Sequence, residues 1–117
     1  MDLSERILKK LQTSSGAIPF DDWISSLRDK KTRAIIAARL LRIQAGNLGD
    51  VKSIGSGVFE FRIQYGPGFR IYFAEVEGKI IVLLGGGNKS SQNKDIRRAI
   101  QLWTEYKDEV NRYYRDF

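Results

Sequence analysis

The sequence contains neither cysteine nor histidine. The first absence excludes disulfides and thiolate metal sites. The second removes the commonest neutral-pH acid/base, the usual zinc ligand and every nucleophile activated by an imidazole. Catalysis in such a chain must rest on Lys, Arg, Tyr, Asp or Glu, and no metal or other cofactor is expected. Proline is scarce, at two residues, and no Pro/Ser-rich linker, internal repeat or low-complexity tract divides the chain. Long apolar runs are missing too. The longest, Ile80–Gly87, falls far short of the ~20 residues that cross a bilayer. Met1–Ser14 carries acids at Asp2 and Glu5 and lacks an apolar segment, unlike a secretory signal. The expectation is a cytoplasmic protein with no membrane partner.

What is present suits one domain spanning residues 1–117. The chain is 117 residues long and 42% hydrophobic, close to the commonest domain size of about 100–150 residues. Lys and Arg outnumber Asp and Glu by 20 to 14, for a net charge of +6. That balance favours a polyanionic partner such as nucleic acid, an acidic protein segment or a membrane surface.

Periodicity divides the chain into helices around a sheet, an α+β pattern. Leu3, Ile7 and Leu11 recur every four residues and suggest a helix over Met1–Thr13. Pro19–Leu27 reads as a short helix, with Pro19 in its first turn and Phe20, Trp23, Ile24 and Leu27 on one face. Lys31–Ala45 reads as a second helix that stops at Gly46-Asn47. Its residues Lys30, Lys31, Arg33, Arg39 and Arg42 are expected on a solvated face. Val51–Ile54, Gly57–Tyr65 and Phe69–Val76 read as strands, the last two joined through Gly66-Pro67-Gly68. Lys79–Leu84 is apolar at successive positions and should be buried on both faces. The Gly85-Gly86-Gly87 run lacks the spacing of a nucleotide-binding P-loop and reads as a flexible exit from that strand. Asp95–Phe117 reads as a long helix with Asp95 at its start.

Alternation in the hairpin sets out the chemistry. Phe59, Phe61, Ile63, Ile71 and Phe73 share one face, and Glu60, Arg62, Gln64, Arg70 and Tyr72 share the other, which is expected to be open and polar. Cross-strand neighbours stand about 4.5–5.5 Å apart at Cβ, so Arg62, Arg70 and Tyr72 gather there. Two arginines so close need an anion or carboxylate between them. Glu60 can supply it, or a bound phosphate can. Lys52 lies on a neighbouring strand and Lys89 follows the apolar strand. Guanidinium groups stabilise charge on a pentacoordinate phosphorane, and a lysine among other cations can move protons.

The motifs G-N-x-G-D-x-K (Gly46–Lys52), E-x-R-I-x-Y-G-P-G-F-R-I-Y-F (Glu60–Phe73) and G-G-x-K-x-x-Q-x-x-D-I (Gly86–Ile96), with the helical stretch Pro19–Ile43 before them, resemble those of addiction-module killer proteins. These form a HigB-like branch of the RelE/ParE toxin superfamily. The resemblance implies an α+β, RelE-like fold: an antiparallel sheet of about four strands, an N-terminal helical pair and a C-terminal helix. It replaces the helix over Met1–Thr13 with an edge strand over about Glu5–Thr13. It implies a toxin of a type II toxin–antitoxin system, a metal-independent mRNA endonuclease that inhibits translation, often on the ribosome, and a helix-turn-helix antitoxin partner. The alternative in the same superfamily is a gyrase-binding toxin without nuclease activity. Arg70 falls on the arginine that contacts the scissile phosphate in relatives. Lys89 falls on the basic residue suggested to protonate the leaving oxygen. Lys52, Arg62, Tyr72 and Gln92 are the implied RNA-binding residues. Asp95 stands where RelE-type members carry a tyrosine, which leaves the general base unassigned.

Overall fold

The computed structural model describes residues 5–115. In chain order the elements are β1 (Ile7–Lys10), α1 (Pro19–Ser26), α2 (Lys30–Gln44), β2 (Val51–Gly55), β3 (Val58–Ile63), β4 (Phe69–Val76), β5 (Ile80–Asn88), a 3-10 turn (Lys89–Ser91) and α3 (Gln92–Arg115). The fold is α+β, with five strands in the order β1-β5-β4-β3-β2. The expected antiparallel sheet of about four strands is thus corrected to five. Four of them form the antiparallel meander β2–β5, and β1 adds to its edge in parallel, with Ile7 opposite Ile80 and Lys10 opposite Leu83.

The helix suggested by Leu3, Ile7 and Leu11 does not form at Ile7–Lys10. A spacing of four is also an even spacing and fits a strand as well. The outer edge of β5 decides the matter, because buried backbone groups there need partners, and β1 supplies them. Met1–Ser4, with Leu3, lie outside the described residues, as do Asp116 and Phe117 at the far end of the expected last helix.

Helices cover both faces of the sheet. Phe61, Ile63, Phe69, Ile71, Phe73, Ile81 and Leu83 pack with Phe20 of α1 and Ile36 and Ile43 of α2. On the other face Val58, Tyr72, Ala74, Val76, Val82 and Leu84 pack with Ala99 and Trp103 of α3. β5 is therefore buried on both sides, as its unbroken apolar run implies. Phe61 stacks on Phe73 with ring centroids 3.9 Å apart.

Two readings of helix α2 change. It starts one residue early because the Asp29 side chain accepts from the Lys31 backbone N–H at 3.1 Å and caps it. Arg39 does not lie on a solvated face. It is buried, and its guanidinium donates to the carbonyls of Leu48 at 2.9 Å and Arg62 at 3.1 Å. Gly49, at φ +66, lies so close to that guanidinium that a Cβ would crowd it. The G-N-x-G-D stretch thus anchors the entry into β2.

Candidate nucleic-acid interface

Strand register brings the basic residues into two adjacent rows on the α3 side of the sheet. Lys52 of β2 lies opposite Glu60 of β3, which lies opposite Tyr72 of β4 and, beyond it, Gly85 of β5. One step along, Arg62 lies opposite Arg70, which lies opposite Gly87. The face is not open, as alternation alone suggested, because the N-terminal part of α3 lies across it. Glu60 and Tyr72 are buried at 0% and 1% exposure, while the side chains of Arg62 and Arg70 keep 30% and 12%.

Glu60 takes the place between the arginines. Its Oε1 accepts from Arg62 Nε at 3.0 Å, and its Oε2 lies 3.9 Å from Arg70 Nε. Gln92, at the first turn of α3, donates to both carboxylate oxygens at 3.3 Å. One buried carboxylate thus holds three of the expected site residues. It is a positioning group, since removing it would leave two cations without their shared counter-charge. Arg70 also donates from Nη1 to the Gly68 carbonyl at 3.1 Å, while its buried Nε makes no hydrogen bond among the described residues.

Lys89 is exposed at the start of the 3-10 turn, beside the hairpin turn. A Cβ at Gly68 would stand 3.4 Å from Arg70 Nη1 and 3.9 Å from Lys89 Cβ, so the arginine and the lysine flank the same glycine. Asn88 fixes that turn by accepting from the backbone N–H groups of Ser90 at 2.9 Å and Ser91 at 3.2 Å. Lys52 is also exposed. The six sequence-derived residues, Lys52, Arg62, Arg70, Tyr72, Lys89 and Gln92, therefore share one side of the molecule around Glu60.

The glycine run is corrected from a flexible exit to the second half of β5. Gly87, Gly86 and Gly85 pair with Arg70, Ile71 and Tyr72, after a bulge beside Phe73. Two of the three bare backbones, at Gly86 and Gly87, admit a neighbour. A Cβ at Gly86 would run into the ring of Trp23, and one at Gly87 into the carboxylate of Asp95. Asp95 is not the helix cap, since α3 already begins at Gln92. Its carboxylate accepts from Ser91 Oγ and rests over Gly87. Sequence reasoning missed the partnership of Trp23 and Asp95 with these glycines. The only signal was three residues without side chains in an otherwise apolar strand.

Residues 22–106 match the model of the phage-derived protein Gp49-like family (DUF891). An uncharacterised protein of Haemophilus influenzae is 46% identical over 88 residues, which cover 75% of this chain and 89% of that one. The chain belongs to the Gp49-like family, a toxin-like family related to RelE and ParE whose members are commonly toxins of toxin–antitoxin systems. Among the described residues no helix is long and apolar enough to cross a membrane.

Proposed function

We propose that this protein is the toxin of a type II toxin–antitoxin pair and a metal-independent endoribonuclease acting on mRNA, in the HigB-like manner and on the ribosome. The observation that carries this reading is the gathering of Arg62 and Arg70 about the Glu60 carboxylate, with Lys52 opposite Glu60 in the strand register and Lys89 beside Arg70 at Gly68. A gyrase-binding toxin has no need of a phosphate site. In the proposed reaction the RNA 2′-hydroxyl gives its proton to solvent water and attacks the adjacent phosphorus. The bond to the 5′ oxygen breaks, and that oxygen takes up a proton as it leaves. The products are a 2′,3′-cyclic phosphate and a 5′-hydroxyl. Arg70 stabilises the added negative charge of the phosphorane, and Lys89 gives the proton to the leaving oxygen. Lys52, Arg62, Tyr72 and Gln92 position the RNA, the last two from beneath the arginines. The partner that silences the toxin is a helix-turn-helix antitoxin.

The test is cleavage of mRNA after induced expression. Arg70→Ala is expected to lower cleavage on the order of 10²–10³-fold while the chain stays folded by circular dichroism, because Glu60 keeps Arg62 and Gln92. Undiminished cleavage and growth arrest at equal expression would remove Arg70 from the reaction. Arrest without cleavage, in the wild type, would favour the gyrase-binding alternative.

A further inference from the structure

Between α1 and the first turns of α3 lies a cleft of about 270 Å³, floored by the glycine half of β5. Asp22 and Trp23 line it from α1, Tyr72 and Gly86 from the sheet, and Asp95 and Arg98 from α3. Three observations mark it as a ligand site. The Tyr72 hydroxyl is buried and has no hydrogen-bond partner among the described residues, and a buried polar group without a partner is costly unless something supplies one. The Trp23 indole is half-buried and held in place. It sits against Gly86, edge-on to Phe20 at 5.9 Å and tilted over Phe69 at 6.4 Å. Finally, the lining carries two carboxylates against one arginine, the reverse of the basic rows beside it.

That polarity sorts the possible occupants. A phosphate would face Asp22 and Asp95 and belongs on the rows of Arg62 and Arg70. A cationic side chain would face Arg98. The volume lies below the 300–1,000 Å³ usual for drug-sized ligands and suits a single ring system. Unstacked RNA bases are recognised by aromatic stacking together with hydrogen bonds to their edges. Guanine fits this lining best. Its N1–H and N2–H2 present adjacent donors that one carboxylate accepts together, and its O6 and N7 accept a forked guanidinium. Adenine turns the N1 acceptor towards a carboxylate, and uracil has one donor flanked by two acceptors.

We infer that this cleft is a base-reading pocket that takes one guanine of the RNA held on the neighbouring basic rows. Trp23 stacks on the base, Asp22 or Asp95 accepts from its Watson–Crick edge, Arg98 donates to its Hoogsteen edge, and the Tyr72 hydroxyl gains its missing partner. The inference rests on the RNA-binding reading, but not on cleavage.

The experiment is a titration of the full chain with four short single-stranded RNAs that differ in one central base. Binding is followed by NMR at the Trp23 indole N–H and the amides of Gly85 and Gly86. The guanine-bearing RNA is expected to bind at least about tenfold tighter than the others and to shift those signals. Arg98→Ala should erase that preference and leave the weaker binding of the other three RNAs in place. Equal affinity for all four bases overturns the inference, as does a preference that leaves the Trp23 and Gly86 signals unmoved. Shifts there on adding arginine amide, with none from any RNA, overturn it in favour of a protein side chain. None of these results depends on whether Arg70→Ala abolishes cutting, so the two readings fail separately.

Discussion

Tyr72 occupies a position that phenylalanine would fill with less cost. Burial raises the pKa of its phenol first, and the negative charges of Glu60 and Asp95 raise it further, against a smaller opposing effect of Arg70. The folded state therefore keeps the proton at a pH where an unfolded tyrosine, with a pKa near 10, has lost it. Above about pH 10 the unfolded chain binds fewer protons than the folded one, so stability falls as pH rises; below that pH the contribution is intact. Tyr72→Phe is expected to leave the urea midpoint at neutral pH unchanged or raised, and to flatten its decline between about pH 9 and pH 11. Tyr114, whose pKa burial also raises, should leave a residual slope. An unaltered decline in the variant would show that Tyr72 ionises as freely in the folded chain as in the unfolded one. Placing Tyr72, Arg62 and Arg70 on one face was legible in the sequence, because alternation is a property of the strand alone. How deeply each is buried was not, because that depends on α3 crossing from beyond the hairpin. Arg39 shows the same limit: its helix was readable, but the carbonyls that draw its guanidinium inward belong to a loop whose path no periodicity records.

At the scale of elements, the meander and its turns were readable from local pattern, and β1 and the end of β5 were not. β3 and β4 alternate and are joined by Gly-Pro-Gly, so their register follows from matching apolar to apolar. Three glycines offer no alternation to match, and the role of Gly86 and Gly87 is visible only through Trp23 and Asp95, which press on them from opposite faces. Gly86→Ala is accordingly expected to destabilise by about 1–3 kcal/mol, through overpacking against the Trp23 ring. Phe61→Ala should cost more, roughly 3–5 kcal/mol, since it empties a fully buried position stacked on Phe73. Both are read as shifts in denaturant midpoint at constant slope. A Gly86→Ala midpoint equal to wild type would mean that Trp23 has room to move aside.

For the whole molecule, the excess of +6 acts at long range and the rows around Glu60 act at contact. Phosphate binding releases counterions, so the affinity for single-stranded RNA should fall linearly with the logarithm of salt concentration. Lys52→Ala, which removes an exposed cation without disturbing the core, should weaken all RNA sequences alike and lower that slope by about 0.7. An unchanged slope would take Lys52 out of the interface. An acidic or amphipathic antitoxin segment laid over the same rows should protect Arg62, Arg70 and Lys89 from chemical modification. If all three stay as reactive as in the free protein, such a partner instead acts from the helices by its bulk. The pairing of Ile7 with Ile80 adds an order in time. A ribosome makes β1 first, yet that strand has no partner until almost the whole sheet has been synthesised, and closing so long a loop is slow. Gln92, which fastens Glu60 beneath the arginines, arrives later still. On the reading proposed above, a nascent chain carries its cations unarranged and harmless, and becomes dangerous only once α3 has emerged and docked, an interval in which antitoxin already present in the cell can meet it.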